Sequence, residues 1–119
     1  MIALRGATTV TVDTPEAIEE ATLELMDQLM AVNTLQKDKM ISILFSVTAD
    51  VKSAYPGKFL RTQRGMGDVP LLHFQEMHVE GSLQRCIRVM IHYQEEKNPI
   101  HVYLREAKIL RPDLSRDSR

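Results

Sequence analysis
Hydrophobic and polar positions recur with a period of two in several stretches and a period near 3.6 in one, and the contrast lays out the elements. Residues 2–12 read as a strand: Thr8, Thr9, Val10, Thr11 and Val12 are nearly all β-branched, and Arg5-Gly6 interrupts the run early. Asp13-Thr14-Pro15-Glu16 marks a helix start, with Thr14 as cap, Pro15 in the first turn, and Glu16, Glu19 and Glu20 near the positive end of the dipole. Ile18, Ala21, Leu25, Leu29 and Val32 then follow helical spacing, with Met26 and Met30 beside them, which predicts a helix to about Asn33. Met40–Val47 runs almost without polar breaks, the mark of a central strand covered on both faces. Thr48-Ala49-Asp50 predicts a short helical turn through Ala54, broken by Tyr55-Pro56-Gly57, and residues 58–64 predict a second short helix stopped by Gly65. Residues 69–79 and 83–93 read as two strands joined at Gly81-Ser82. Residues 100–104 and 105–110 complete the sheet, and Arg111-Pro112-Asp113 ends it.

That order predicts an α+β domain, a mixed or mostly antiparallel sheet with its helices on one face. No helix is left to cover the other face, and Leu71, Ile87, Val89 and Ile91 suggest that it packs on another subunit. In residues 83–93, alternation sends Cys86, Arg88, Met90 and His92 one way and Ile87, Val89, Ile91 and Tyr93 the other. Arg88 thus stands mid-strand among apolar neighbours. A guanidinium keeps its charge, so it must meet a carboxylate of the protein or of a ligand. Glu76, across the expected hairpin, is the nearest in sequence.

Composition narrows the function. The chain has 119 residues, enough for one domain, expected over 1–115 with a flexible polar tail at 116–119. Hydrophobic residues make up 44%, which excludes a disordered chain, and a net charge of −1 argues against general nucleic-acid binding. No apolar run has membrane-spanning length and no signal-peptide pattern opens the chain, which points to the cytoplasm and away from a membrane. The single cysteine, Cys86, excludes an internal disulfide and reads as a small buried hydrophobe. His73, His78, His92 and His101 make no tight metal-ligand pair, so no metal is expected. There is no Walker loop, no Gly-x-Gly-x-x-Gly turn and no nucleophile elbow. Arginine remains: Arg5, Arg61, Arg88 and Arg111, with Lys58, Tyr103 and Glu76. Such a set suits a polyanionic small molecule held through its carboxylates, by a protein without a nucleophile or cofactor.

Five segments in matching order, Arg5-Gly6-Ala7-Thr8-Thr9-Val10, Gln75-Glu76-Met77, Cys86-Ile87-Arg88-Val89-Met90, His101-Val102-Tyr103-Leu104 and Leu110-Arg111-Pro112-Asp113-Leu114-Ser115, resemble the AroH class of chorismate mutases. The resemblance implies a ferredoxin-like subunit, a homotrimer forming a pseudo-α/β barrel, and an active site in each of the three interfaces. It implies conversion of chorismate to prephenate, a Claisen rearrangement in phenylalanine and tyrosine biosynthesis. By the same resemblance Arg88 binds a carboxylate and the ether oxygen, Arg5 and Tyr103 hold carboxylate groups, and Glu76 takes the ring hydroxyl. Tyr55, Gly57, Lys58, Leu71, Leu72 and His73 form a wall supplied by the neighbouring subunit, Arg61 and Arg111 lend positive field at the mouth, and Leu110 packs near the ligand. His73 stands where familiar members carry cysteine, Tyr55 replaces phenylalanine, Gly57 replaces alanine and Leu72 replaces threonine. The residues alone also fit a non-catalytic trimeric module that binds an aromatic carboxylate, or an imine deaminase of the YjgF type.

Overall fold
The computed structural model describes residues 1–113; the expected tail at 116–119 and the end of the expected domain lie outside them. The elements are β1 (Ile2–Thr9), α1 (Pro15–Asn33), a 3-10 turn (Lys37–Lys39), β2 (Met40–Val47), α2 (Pro56–Arg64), β3 (Leu71–Gln75), β4 (Cys86–Tyr93), β5 (Val102–Tyr103) and a second 3-10 turn (Arg105–Ile109). The strands form one mixed sheet in the order β3-β2-β4-β1-β5. β4 is antiparallel to both β1 and β2, while β3 and β5 run parallel to β2 and β1. This is the expected α+β class.

Local sequence explains the helices. Thr14 Oγ1 accepts the Ala17 N–H at 3.1 Å, and Pro15 follows in the first turn. Ile18, Ala21, Leu25, Met26 and Leu29 are buried in one cluster with Leu4, Ile43, Phe45, Ile87, Val89 and Ile91 of the sheet. Gly6 permits that packing: a Cβ there would lie 2.9 Å from Leu29 Cδ1 and 3.1 Å from Leu25 Cδ1. The backbone approached at Gly6 is thus met by α1. Gly65, at φ 67°, closes α2 in the left-handed conformation.

Several expectations need correction. Residues 69–79 and 83–93 do not form a hairpin: β2 lies between β3 and β4, and β3 joins β2 in parallel. Residues 77–84 run outside the sheet: Glu76 still donates its N–H to the Val47 carbonyl at 2.8 Å, and Asp50 accepts the Arg85 N–H on both carboxylate oxygens, at 3.0 Å each. No helix forms at 48–54. Asp50 is engaged by Thr48 and Arg85, and Asp13 accepts the N–H groups of Lys52 and Ser53, so the segment is held as turns. β1 ends at Thr9, and residues 105–109 coil into a 3-10 turn where a strand was expected. The chain turns at Arg105, with φ 53°; its guanidinium donates to the Thr9 carbonyl and pairs with Glu20 and Glu24 of α1. β2 is central but covered by helices on one face only. Leu71, Ile87, Val89 and Ile91 belong to that helix-covered face, so the open face is built from other residues.

Candidate active site
The register assigns the open face row by row. Across one row stand Phe74, Ser46, Arg88, Ala7 and Tyr103 of β3, β2, β4, β1 and β5. The next row holds Leu72, Leu44, Met90 and Arg5. Arg5 and Arg88 are therefore diagonal neighbours, on adjacent strands with the small Ala7 side chain beside them. With Tyr103, Leu110 and Arg111 they line a cavity of about 350 Å³, whose floor includes Gly6, Leu44, Ser46, Val89 and Met90 and whose wall includes Phe74. Nothing in the hydrophobic pattern singled out Ser46, Phe74 or Leu44, although alternation had set Met90 on the face of Arg88; the two serines breaking the apolar run of β2 were the available signal.

Arg88 is about half exposed rather than enclosed. Its Nε lies 3.5 Å from Glu76 Oε1, longer than a good charge-assisted hydrogen bond. Glu76 is held instead by Ser46, whose Oγ donates to the same oxygen at 2.7 Å. The expected Arg88–Glu76 meeting thus occurs across β2, and loosely. Arg5 meets no carboxylate within salt-bridge distance among the described residues. Arg111 donates to both oxygens of Asp113, at 3.2 and 2.9 Å; that pairing raises the Arg111 pKa and lowers that of Asp113. Behind Arg88, Cys86 is buried with Ala7, Tyr103 and Ala107, and burial pushes its thiol pKa up.

A second group of expected site residues lies elsewhere. Tyr55, Gly57, Lys58, Arg61, Leu71 and His73 line a separate cavity of about 430 Å³ where the start of α2 meets β3. His73 is opposite Phe45, on the helix-covered side of the sheet, whereas Glu76 reaches Ser46 and Arg88 on the open side. Leu72 parts company with Leu71 and His73 and is exposed on the open face. The His73 ring stacks on Phe45 at 5.6 Å and tilts against Tyr55 at 5.0 Å. Its Nε2 accepts the Gly57 N–H at 2.9 Å. Burial lowers the His73 pKa, so near pH 7 the ring is neutral with its hydrogen on Nδ1.

The fold and the arginine-lined cleft match known proteins. The model of the family "Chorismate mutase type I" matches residues 1–114. "Chorismate mutase AroH" of Thermus thermophilus is 46% identical over 115 residues, covering 93% of each chain. "Chorismate mutase AroH" of Bacillus subtilis (strain 168) is 40% identical over 115 residues, covering 94% of this chain and 91% of its own. Among solved structures, a chorismate mutase from Clostridium thermocellum superposes with a TM-score of 0.88 at 39% identity, over 92% of this chain and 99% of its own. The class these comparisons and the fold define is that of small α+β isomerases. Within it, the chain belongs to the type I, AroH-class, chorismate mutase family.

Proposed function
We propose that this isomerase, a chorismate mutase by family, rearranges chorismate to prephenate by holding one substrate conformer and setting a fixed cation against its ether oxygen. The observation that carries this is the pair of guanidinium groups on the open face: Arg5 without a carboxylate partner among the described residues, and Arg88 with only a 3.5 Å contact to Glu76. Such a cleft matches a dianion. The rearrangement breaks a carbon–oxygen bond while making a carbon–carbon bond within one molecule, so it requires neither a nucleophile nor a proton transfer. Arg5 and Tyr103 bind carboxylate, and the shape of the cleft holds the compact conformer. Arg88 stabilises the negative charge that grows on the ether oxygen, and Glu76, steadied by Ser46, takes the ring hydroxyl. Leu110 packs on the ligand, and Arg111 adds positive field at the mouth.

Tyr55, Gly57, Lys58, Arg61, Leu71, Leu72 and His73 complete the site from a neighbouring chain in a cytoplasmic homotrimer. One sheet cannot bring its two faces to one ligand, and His73 and Glu76 stand on opposite faces. The open face also carries exposed Leu72 and Phe74 beside Leu44 and Met90, an apolar surface that a second copy would bury. The domain is residues 1–115.

The deciding experiment is turnover of chorismate by purified protein, followed as loss of its ultraviolet absorbance with prephenate identified as product. Arg88→Ala is expected to lower kcat by a factor equivalent to roughly 3–4 kcal/mol of barrier, as for a lost oxyanion donor. Arg88→Lys stays poor, since an ammonium cannot fork between carboxylate and ether oxygen. Near-normal turnover by Arg88→Ala refutes the assignment. For the shared site, Arg88→Ala chains refolded with Arg61→Ala chains regain roughly a quarter of wild-type activity if random closed trimers form. No gain over the two variants alone refutes the interface site.

A further inference from the structure
Arg5 has no ion-pair partner among the described residues, so the direction of its guanidinium depends on how its backbone is held. On one side β4 pairs with it through Met90. On the other, β5 begins only at Val102, which pairs with Gly6. One residue further back the ladder fails, because Ile100 gives both its backbone groups to Asn33 of α1: its N–H donates to Asn33 Oδ1 at 2.7 Å, and its carbonyl accepts from Asn33 Nδ2 at 2.8 Å. The Arg5 N–H is left at the edge of the sheet without a strand carbonyl, and it donates to His101 Nδ1 at 3.0 Å. An imidazole thus does the work of a missing carbonyl. Accepting at Nδ1 fixes the tautomer with hydrogen on Nε2.

We propose that His101 is a positioning residue for the proposed substrate contact of Arg5: its Nδ1 pins the Arg5 backbone at the edge of β1 and so aims the guanidinium into the cleft beside Arg88. This rests on the chorismate mutase mechanism proposed above. Arg5 grips a carboxylate that keeps its charge through the rearrangement, so the contact is equally strong in ground and transition states. Its loss raises KM and leaves kcat largely unchanged, the opposite of the signature expected of Arg88. A neutral ring also suits the place, since burial disfavours its charge and Arg5 and Arg111 do so as well.

The test compares His101→Ala, which has no acceptor, with His101→Asn, whose Oδ1 reaches about as far from Cβ as the imidazole Nδ1. Steady-state kinetics with chorismate are expected to show KM raised about tenfold in His101→Ala with kcat within about twofold, and most of that loss recovered in His101→Asn. Amide exchange at Arg5 is measured in the same proteins and is expected to be faster in His101→Ala and restored in His101→Asn. A purely structural histidine would lower thermal stability while leaving KM alone. Unchanged KM in His101→Ala, or His101→Asn no better than alanine, overturns the proposal. Wild-type protein that does not rearrange chorismate refutes the proposed function, and the Arg5 exchange rates then decide by themselves whether His101 holds that backbone.

Discussion

Gly57 is the second residue of α2, and its N–H donates to His73 Nε2 across the edge of the sheet. A Cβ at this position would stand 2.5 Å from Leu71 Cδ2, 2.8 Å from Leu71 Cδ1 and 2.9 Å from His73 Cε1. The leucine methyls can rotate away. The imidazole cannot, because it is clamped between the rings of Phe45 and Tyr55. Relief requires the first turn of α2 to lift or the ring to slide, and either stretches the hydrogen bond. Overpacking costs about 1–3 kcal/mol and a lost neutral hydrogen bond about 0.5–1.5 kcal/mol. Gly57→Ala should therefore destabilise the protein by roughly 2–4 kcal/mol, at least about 8 °C in Tm at about 4 °C per kcal/mol. The assay is thermal unfolding followed by circular dichroism at one fixed protein concentration, since association itself adds stability. His73→Cys removes the ring, so repeating Gly57→Ala in that background should cost about 1–2 kcal/mol less, the coupling of a contacting pair. A Gly57→Ala protein melting within about 2 °C of wild type, or an equal cost in both backgrounds, would refute the steric argument.

Three further outcomes are expected. Burial holds His73 below the ordinary histidine pKa of 6.5, and burial with Arg5 and Arg111 does the same for His101. The unfolded chain then binds protons first as pH falls, so stability is kept above that value and declines below it toward the folded pKa values. Denaturation midpoints measured across this range should show the decline, and it should be shallower in His73→Cys. Asn33 is buried and bridges the Leu29 carbonyl and both backbone groups of Ile100, so Asn33→Ala should cost about 2–3 kcal/mol in chemical denaturation by leaving buried groups unpaired; a cost under about 0.5 kcal/mol would mean that water replaces it. Phe74→Glu puts a charge on the open face. Light scattering should report a monomer with chorismate turnover lost, and a variant of unchanged mass would remove that face from any subunit interface.

The sequence by itself determined much of the fold and named the charged residues that are candidates for the site. The cap at Thr14, the helical stripe through Leu29, the apolar run of β2 and the glycine stop at Gly65 are local signals, each read from residues within a few positions of one another; α1 and β2 formed where they were expected, and α2 stopped at Gly65 but began at Pro56, inside the expected break. Arg88 was legible because a guanidinium in an alternating strand cannot shed its charge. Pairing was not legible. Whether residues 69–79 fold back on 83–93 depends on whether β2 inserts between them, a contact between strands far apart in the chain that no local pattern encodes. The same holds for the faces: alternation separates Ile87, Val89 and Ile91 from Arg88 and Met90, but only the packing of α1 decides which set is buried. Residues 105–109 carried the alternation of a strand, and the long-range bonds of Arg105 to Thr9, Glu20 and Glu24 overrode it. The three-residue spacing of His73 and Glu76 already sends them to opposite faces of a strand, whereas the tertiary structure alone set Arg5 beside Arg88 and brought the His101 ring to the Arg5 N–H. Those placements come from strand order and register, which the chain settles only when distant segments meet.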